Sequence, residues 1–348
     1  PIQKLNALPC RQSRGRLLQE GASVAYTIVS TGSALPKRKV TNDDLSEFLD
    51  TSDEWISTRT GIKTRYVCTD ESLDDLAAEA SEHALADAGI EAKDIDLIIC
   101  STTSGDHLMP AEACAIAERL GANCPAFDVS AACAGFVFAL DTADGWFCRG
   151  RARRALVVSA EKMSRLLDRE DRGTCVLFGD GAAAAVVEAG GESPIWSQRG
   201  TKPDVASLDV PGLQGTSPFG GTEDAQPSKL LMKGRKVFHF AVSSIEEELK
   251  ALEAESGIAL SDIDHFVCHQ ANERILDAVA KRCGIDPSKM AHTIQETGNI
   301  SSACIPLALD RMSREGSLHA GELVLICGFG AGLDIGTALI RWNKEQGA

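Results

Sequence analysis

The chain is short of positive charge: 35 Lys and Arg stand against 50 Asp and Glu, a formal net charge of −15. A surface of that sign repels a phosphate backbone, which argues against general nucleic-acid binding. An anionic partner would need a local basic patch, so the places where Arg and Lys gather matter. No apolar run reaches the ~18 residues of a membrane-spanning helix, and no membrane insertion is expected. Twelve cysteines are present, yet there is no C-x-x-C pair and no Cys/His grouping at zinc spacing, so no metal is expected. Cys100, Cys114, Cys268, Cys304 and Cys327 lie in apolar surroundings. That pattern suits reduced, buried thiols in a cytoplasmic protein and not a disulfide framework. The first twenty residues carry Lys4, Arg11, Arg14 and Arg16 and no acid before Glu20, but no apolar targeting core. Residues 1–23 are expected to form a disordered or appended segment.

What is there suits a globular chain. The 348 residues are 44% hydrophobic and 24% charged, enough for two domains or one large double domain. One stretch organises the rest, Asp128-Val129-Ser130-Ala131-Ala132-Cys133-Ala134-Gly135-Phe136-Val137-Phe138-Ala139-Leu140, uncharged and apolar from Ala131 onward. Phe127–Val129 reads as a strand end, and the residues after Cys133 as a helix buried on all sides. Cys133 then sits at a helix N-terminus, where free N–H groups and the dipole favour a thiolate. The dipole contributes ~1 kcal/mol, which would lower a thiol from ~8.5 to roughly 7.5. Taken alone, a Cys among Ala and Gly is more often a small buried hydrophobe than a nucleophile.

Periodicity predicts a strand over 24–30, a helix over 42–49 and a short helical turn over 51–62 that stops at Gly61. Trp55 and Arg59 share a face of that turn. Helices are expected over 73–88 and 111–120, and strands over 95–101, 154–159 and 182–187. From Glu188 to about Lys229 the composition turns to Gly, Pro, Ser and Thr, which reads as a linker or flap. Beyond it come a helix over 235–254, a strand over 264–268 and a helix over 271–283. A strand before Gly298, a helix over 302–312, a strand over 323–327, a glycine loop 328–332 and a strand over 337–342 complete the chain. The halves rhyme. Ser130–Cys133 with Phe138–Asp141 resembles Ser301–Cys304 with Leu307–Asp310. A long internal repeat of α/β type implies two halves on a pseudo-twofold axis, 24–195 and 196–348, with both buried helices starting near that axis.

In the second half polar residues follow strand ends: His269-Gln270-Ala271-Asn272 after Phe266–Cys268, Asn299 after Gly298, and Gly328–Gly332 after Leu323–Cys327. Ligands collect at the carboxyl ends of strands in α/β sheets, so the three segments can line one pocket. Singly, His269 fits a core histidine and Asn299 a turn residue. Together with Cys133 they make a nucleophile and a pair of oxyanion donors.

On these residues, and on Ser130–Gly135, Thr51–Thr60, Asp171–Thr174 and Phe178–Ala182, the sequence resembles the thiolase superfamily and, within it, the β-ketoacyl-acyl carrier protein synthase III family. The resemblance runs from about Val24 to Trp342. It implies a five-layered αβαβα fold and a homodimeric initiating condensing enzyme of type II fatty acid synthesis. An acyl group, expected to be acetyl, passes from acyl-coenzyme A to Cys133; malonyl-acyl carrier protein then loses carbon dioxide and condenses with it. Coenzyme A thioester is a substrate, and no permanent cofactor is implied. His269 and Asn299 are implied to stabilise the enolate, and the backbone at Cys133 and in Gly330, Ala331 and Gly332 the tetrahedral oxyanion. Coenzyme A binding is implied for Trp55, Arg59, Thr60, Arg172, Gly234, Phe238, Ala271, Asn272 and Arg274, with adenine between Trp55 and Arg172. Met109 falls where the family places a partner-subunit residue that limits the primer. Arg274, Lys281 and Arg282, on one helix face, with Arg235 and Lys236, would dock the acidic carrier protein; a solvated face is the plainer alternative. Two other readings remain: a secondary-metabolism acyltransferase or condensing enzyme on the same fold, and a silent binding protein.

Overall fold

The computed structural model describes residues 25–212 and 229–344. The expected N-terminal segment, and the part of the expected flap at 213–228, lie outside the described residues. The first sheet has five strands in the order Tyr26–Ala34, Asp180–Ala189, Arg154–Lys162, Leu97–Ser101, Ala126–Val129. Its first two pairings are antiparallel and its last two parallel. The second sheet runs Trp196–Thr201, Asp334–Arg341, Leu323–Gly330, His265–Cys268, antiparallel twice and then parallel.

Strand alternation sorts the side chains into layers. Leu97, Ile99, Ala155 and Val157 of the first sheet, and Val324, Ile326, Ala338 and Ile340 of the second, face one shared core. That core also holds Phe136, Val137 and Leu140 of helix Gly135–Cys148 and Ile305, Ala308 and Leu309 of helix Cys304–Arg314. The alternate residues Ile98, Cys100, Leu156 and Val158 face outward onto helix Leu73–Ala88. Phe266, Cys268, Leu325 and Leu339 pack against helices Gly234–Ser256 and Glu273–Cys283. Helix, sheet, helix pair, sheet and helix thus stack as the expected five layers, because successive strand residues point to opposite faces. Helix ends follow their caps: Ser72 accepts from Asp75 N, and Gly89 closes the helix in a left-handed conformation.

Four expectations need correction. The flap contains a strand, Trp196–Thr201, of which only Trp196 is buried; hydrogen bonding to its neighbour, not alternation, makes it a strand. The strand expected before Gly298 is a short helix, Ile294–Thr297, and Met290 makes a single bridge to Phe266. The glycine loop begins inside strand Leu323–Gly330. The repeat is also out of step at its start. Two 3-10 turns open the buried helices, Ala132–Ala134 and Ser301–Ala303, and each begins with a left-handed residue, Ala132 at φ 45 and Ser301 at φ 50. The counterpart of Cys133 is therefore Ser302, not Cys304. The spacing from Ala132 to Ser301 also relates Glu161 to Gly330 on the two central strands.

Candidate active site

Cys133 lies in the turn between strand Ala126–Val129 and helix Gly135–Cys148 and is 7% exposed. The helix start presses on the first sheet so closely that a Cβ on Gly135 would stand 1.8 Å from Ser101 Oγ. The strand Leu323–Gly330 closes the other side. A Cβ on Gly330 would lie 2.7 Å from Cys133 N, and one on Gly328 2.7 Å from Ala134 Cα. These glycines are spacers that let two backbones touch. Ala331 and Gly332, grouped with Gly330 from the sequence, do not line the cavity. Burial pushes the Cys133 thiol up to about 12, against the lowering expected from the helix end. The Ser301 hydroxyl, 3.4 Å from Sγ, and the Cys133 backbone N–H oppose this, but desolvation is the larger effect.

His269 is the first residue past strand His265–Cys268, its N–H donating to Cys327 O at 2.8 Å. Burial drives its imidazole down to about 3, so it is neutral across the physiological range. Nδ1 has no hydrogen-bond partner among the described residues, and the ring meets Phe329 edge-on at 5.1 Å. Asn299 follows Gly298, whose left-handed φ of 63 turns the chain. Asn299 N donates to Leu177 O at 2.9 Å, and Asn299 O accepts from Gly179 N at 3.0 Å. Its Oδ1 accepts from Ser301 N at 2.8 Å, which fixes the amide with the NH₂ group unspent.

Cys133, His269, Asn299 and Gly330 line one cavity of ≈ 120 Å³, walled by Leu177, Phe178, Leu208, Met232, Val237, Phe238 and Ile275. Gly234, Ala271 and Asn272 reach it as well. Apart from the three functional groups and Asn272 its walls are apolar, and it is smaller than the ~300 Å³ of a drug-sized pocket, a shape for a slender chain. A larger cavity, ≈ 680 Å³ between Thr27, Asp87, Trp342 and Lys344, holds none of these residues. The acids Asp74, Asp106 and Glu112 approach closely enough to share a cation. They lie outside the catalytic cavity, and Arg119 and Arg165 already pair with Asp74 and Asp106.

The other expected residues separate into groups. Helix Asp53–Thr60 adjoins the cavity through Asn272, whose Nδ2 donates to Arg59 O at 3.2 Å. The guanidinium carbons of Arg59 and Arg172 lie 4.7 and 4.6 Å from the Trp55 ring centre. A base held between Trp55 and Arg172 needs about 7 Å, two contact distances, so Arg172 occupies the slot expected for adenine. Thr60 is buried and spends its hydroxyl locally, donating to Ile56 O and accepting from Ile62 N. Met109 is 85% exposed and does not line the cavity of its own chain. In the basic patch, Arg282 pairs with Glu246 at 3.4 Å and Lys236 with Asp204 at 3.3 Å. Arg235, Arg274 and Lys281 are exposed and have no ion-pair partner among the described residues.

Sequence reasoning missed Glu161. It is fully buried at the end of strand Arg154–Lys162. Its carboxylate accepts from Thr103 N at 3.1 Å, Ser104 Oγ at 2.6 Å and Ser302 Oγ at 2.9 Å. A glutamate closing the apolar run 155–160 was the available signal.

A model described as 3-oxoacyl-[acyl-carrier-protein] synthase III matches residues 127–201, and its C-terminal companion matches residues 253–342. The β-ketoacyl-[acyl-carrier-protein] synthase III of Clostridium acetobutylicum is 44% identical over 91% of this chain and 98% of its own. Among solved structures, 3-oxoacyl-[acyl-carrier-protein] synthase III from Aquifex aeolicus superposes with TM-score 0.83 at 38% identity, covering 91% of this chain and 100% of that one. The priming β-ketosynthase of the R1128 polyketide pathway superposes with TM-score 0.84 at 34% identity, over 94% and 99%.

Proposed function

The chain belongs to the β-ketoacyl-acyl carrier protein synthase III family, and from that premise we propose that it initiates fatty acid synthesis by condensing an acyl group on Cys133 with a carrier-bound malonyl unit. The observation that carries the site assignment is the shared cavity of Cys133, His269 and Asn299. Cys133 attacks the thioester carbonyl of acyl-coenzyme A, and coenzyme A leaves. Malonyl-acyl carrier protein follows. His269 and Asn299 donate to its thioester oxygen and hold the enolate formed as carbon dioxide departs, and the carbanion attacks the acyl-Cys133. A neutral His269 suits this role, because a proton on Nε2 makes it a donor and leaves Nδ1 needing no acceptor. Asn299, its oxygen taken by Ser301 N, offers only N–H. The Cys133 N–H beside Gly330 is suited to the tetrahedral oxyanion.

Coenzyme A reaches the cavity past Trp55, Arg59 and Asn272, and Arg172 swings off Trp55 to admit the adenine. The exposed Met109 suits insertion into a second copy of the chain, making the enzyme a homodimer with a partner-limited primer pocket. No described helix is long and apolar enough to cross a membrane, and the eleven described cysteines are all free; both suit a reducing cytoplasm. The test is intact mass after mixing with acetyl-coenzyme A, beside carbon dioxide release from malonyl-acyl carrier protein. Cys133→Ala should take up no acyl group. His269→Ala and Asn299→Ala should acylate normally and lose ~100-fold or more of decarboxylation, the usual size of one oxyanion donor. Acylation mapped to Cys304 or Cys268, or wild-type decarboxylation in either variant, would overturn the assignment.

A further inference from the structure

The two enolate donors stand on different segments. His269 follows strand His265–Cys268, and Asn299 follows helix Ile294–Thr297 and Gly298. One side chain between them joins the two. Gln270 is 0% exposed, and its amide bonds across the crossing of these segments. Nε2 donates to Cys268 O at 2.8 Å and to Ala291 O at 3.0 Å. Oε1 accepts from Thr293 N at 2.9 Å and from Ile294 N at 3.3 Å. Two N–H donors and two lone pairs are the whole capacity of a side-chain amide, so none is left over. The partners also fix which way round the amide lies, because carbonyls need donors and N–H groups need an acceptor.

From Thr293 to Asn299 the chain is stiff. Thr293 gives helix Ile294–Thr297 no side-chain cap, and Gln270 Oε1 satisfies the N–H groups at its start instead. Thr293 O accepts from Thr297 N at 3.2 Å and from Thr297 Oγ1 at 3.0 Å. Gly298 N donates to Ile294 O at 3.0 Å. Ile294 and Thr297 are fully buried. A single packed turn thus carries the position set at Gln270 on to Asn299.

Resting on the reading of His269 and Asn299 as the enolate donors, we propose that Gln270 is a positioning residue for decarboxylation. Its amide holds the two donors at the separation that one thioester oxygen requires. The role needs an amide. An aliphatic side chain would leave two carbonyls and two N–H groups buried without these partners. A carboxylate would turn an acceptor toward the carbonyls of Cys268 and Ala291. Gln270 does not line the cavity, and Cys133 stands on the other half of the chain, so acylation does not draw on this amide. Other contacts hold the same crossing. Ala291 N donates to Phe266 O at 3.0 Å, and Glu273 Oε1 meets His292 Nδ1 at 2.9 Å. Loss of the amide therefore loosens the crossing without releasing it.

The two half-reactions separate positioning from plain support of the fold. Gln270→Glu keeps the shape of the side chain and removes its donors. Acylation by acetyl-coenzyme A is followed by intact mass, and carbon dioxide release from malonyl-acyl carrier protein by its kcat and KM. Carbon dioxide release should lose ~100-fold in kcat, the effect of a ~1 Å misplacement, with KM and the acylation rate unchanged. A residue that only supports the fold would depress both half-reactions together, so equal losses would overturn the proposal. Wild-type carbon dioxide release in the folded variant would overturn it as well. Should Gln270→Glu not fold, Gln270→Asn keeps the amide but draws it about 1.5 Å, one C–C bond, back from residues 291–294. The same split is expected there, and the same two outcomes would overturn the proposal. His269→Ala and Asn299→Ala are run beside them. Wild-type carbon dioxide release in those two would sink the donor assignment itself. Loss in those two with none in the Gln270 variants would overturn the positioning role alone.

Discussion

Cys133 shows how far one residue's surroundings can reverse a local expectation. The helix end favours a thiolate by ~1 kcal/mol, but full burial works the other way and pushes the thiol up to about 12. Alkylation by iodoacetamide follows the thiolate fraction. In the ligand-free protein its rate at Cys133 should therefore climb about tenfold per pH unit from 7 to 10 without a plateau. A thiol governed by the dipole would level off just above pH 7.5. Mapping by peptide mass keeps the exposed Cys114 and Cys148 apart from Cys133. A plateau below pH 9 at Cys133 would show that burial is not the controlling influence. His269 and Asn299 were legible because each follows a recognisable strand end or turn. Glu161 was not. Its buried carboxylate is held by the hydroxyls of serines 302 and 104, distant in sequence, and no local pattern reports such a meeting.

At the scale of elements, the site is made by contacts that leave no room. Gly330→Ala places a methyl group 2.7 Å from Cys133 N and 3.1 Å from Cys133 Cβ. Forced overpacking costs ~1–3 kcal/mol, and here the turn bearing the nucleophile must move. Gly330→Ala should lower the melting temperature and lose more than tenfold in acylation rate. Gly121→Ala is the control. It sits at φ 70 with nothing within 4 Å of its Cβ. It should cost ~1–2 kcal/mol of backbone strain and leave acylation unchanged. Equal acylation in the two variants would mean the close approach at Gly330 has no catalytic consequence. Most elements were readable because helices bury one face at a regular period and the central strands are continuous apolar runs. Strand Trp196–Thr201 was not, since a single buried side chain gives no alternation. The helix before Gly298 was missed because four residues are too few to show a period.

Across the whole molecule, the acidic balance makes any basic patch a local exception. The structure divides the expected patch. Arg282 is neutralised by Glu246, which Lys250 also approaches at 2.6 Å, whereas Lys281 and Arg274 are unpaired among the described residues. Lys281→Glu should thus weaken kcat/KM for malonyl-acyl carrier protein several-fold at low salt, less at 0.5 M, and spare acylation by coenzyme A. Arg282→Glu should have the smaller effect of the two. Lys281→Glu with unchanged kcat/KM at low salt would return this helix face to plain solvation. Arg274 borders the coenzyme A route and is the less selective probe.

The doubled turn has a consequence best put in evolutionary terms. A chain that repeats its own architecture starts with two equivalent positions for a reactive side chain and needs one. Here the first copy keeps a cysteine, and the second carries Ser302, which donates to Glu161. The strand position that must be glycine to make room beside Cys133 is, in the other copy, Glu161 itself. Duplication thus left a single nucleophile to two equivalent turns and let the paired positions part, Cys133 against Ser302 and Glu161 against Gly330.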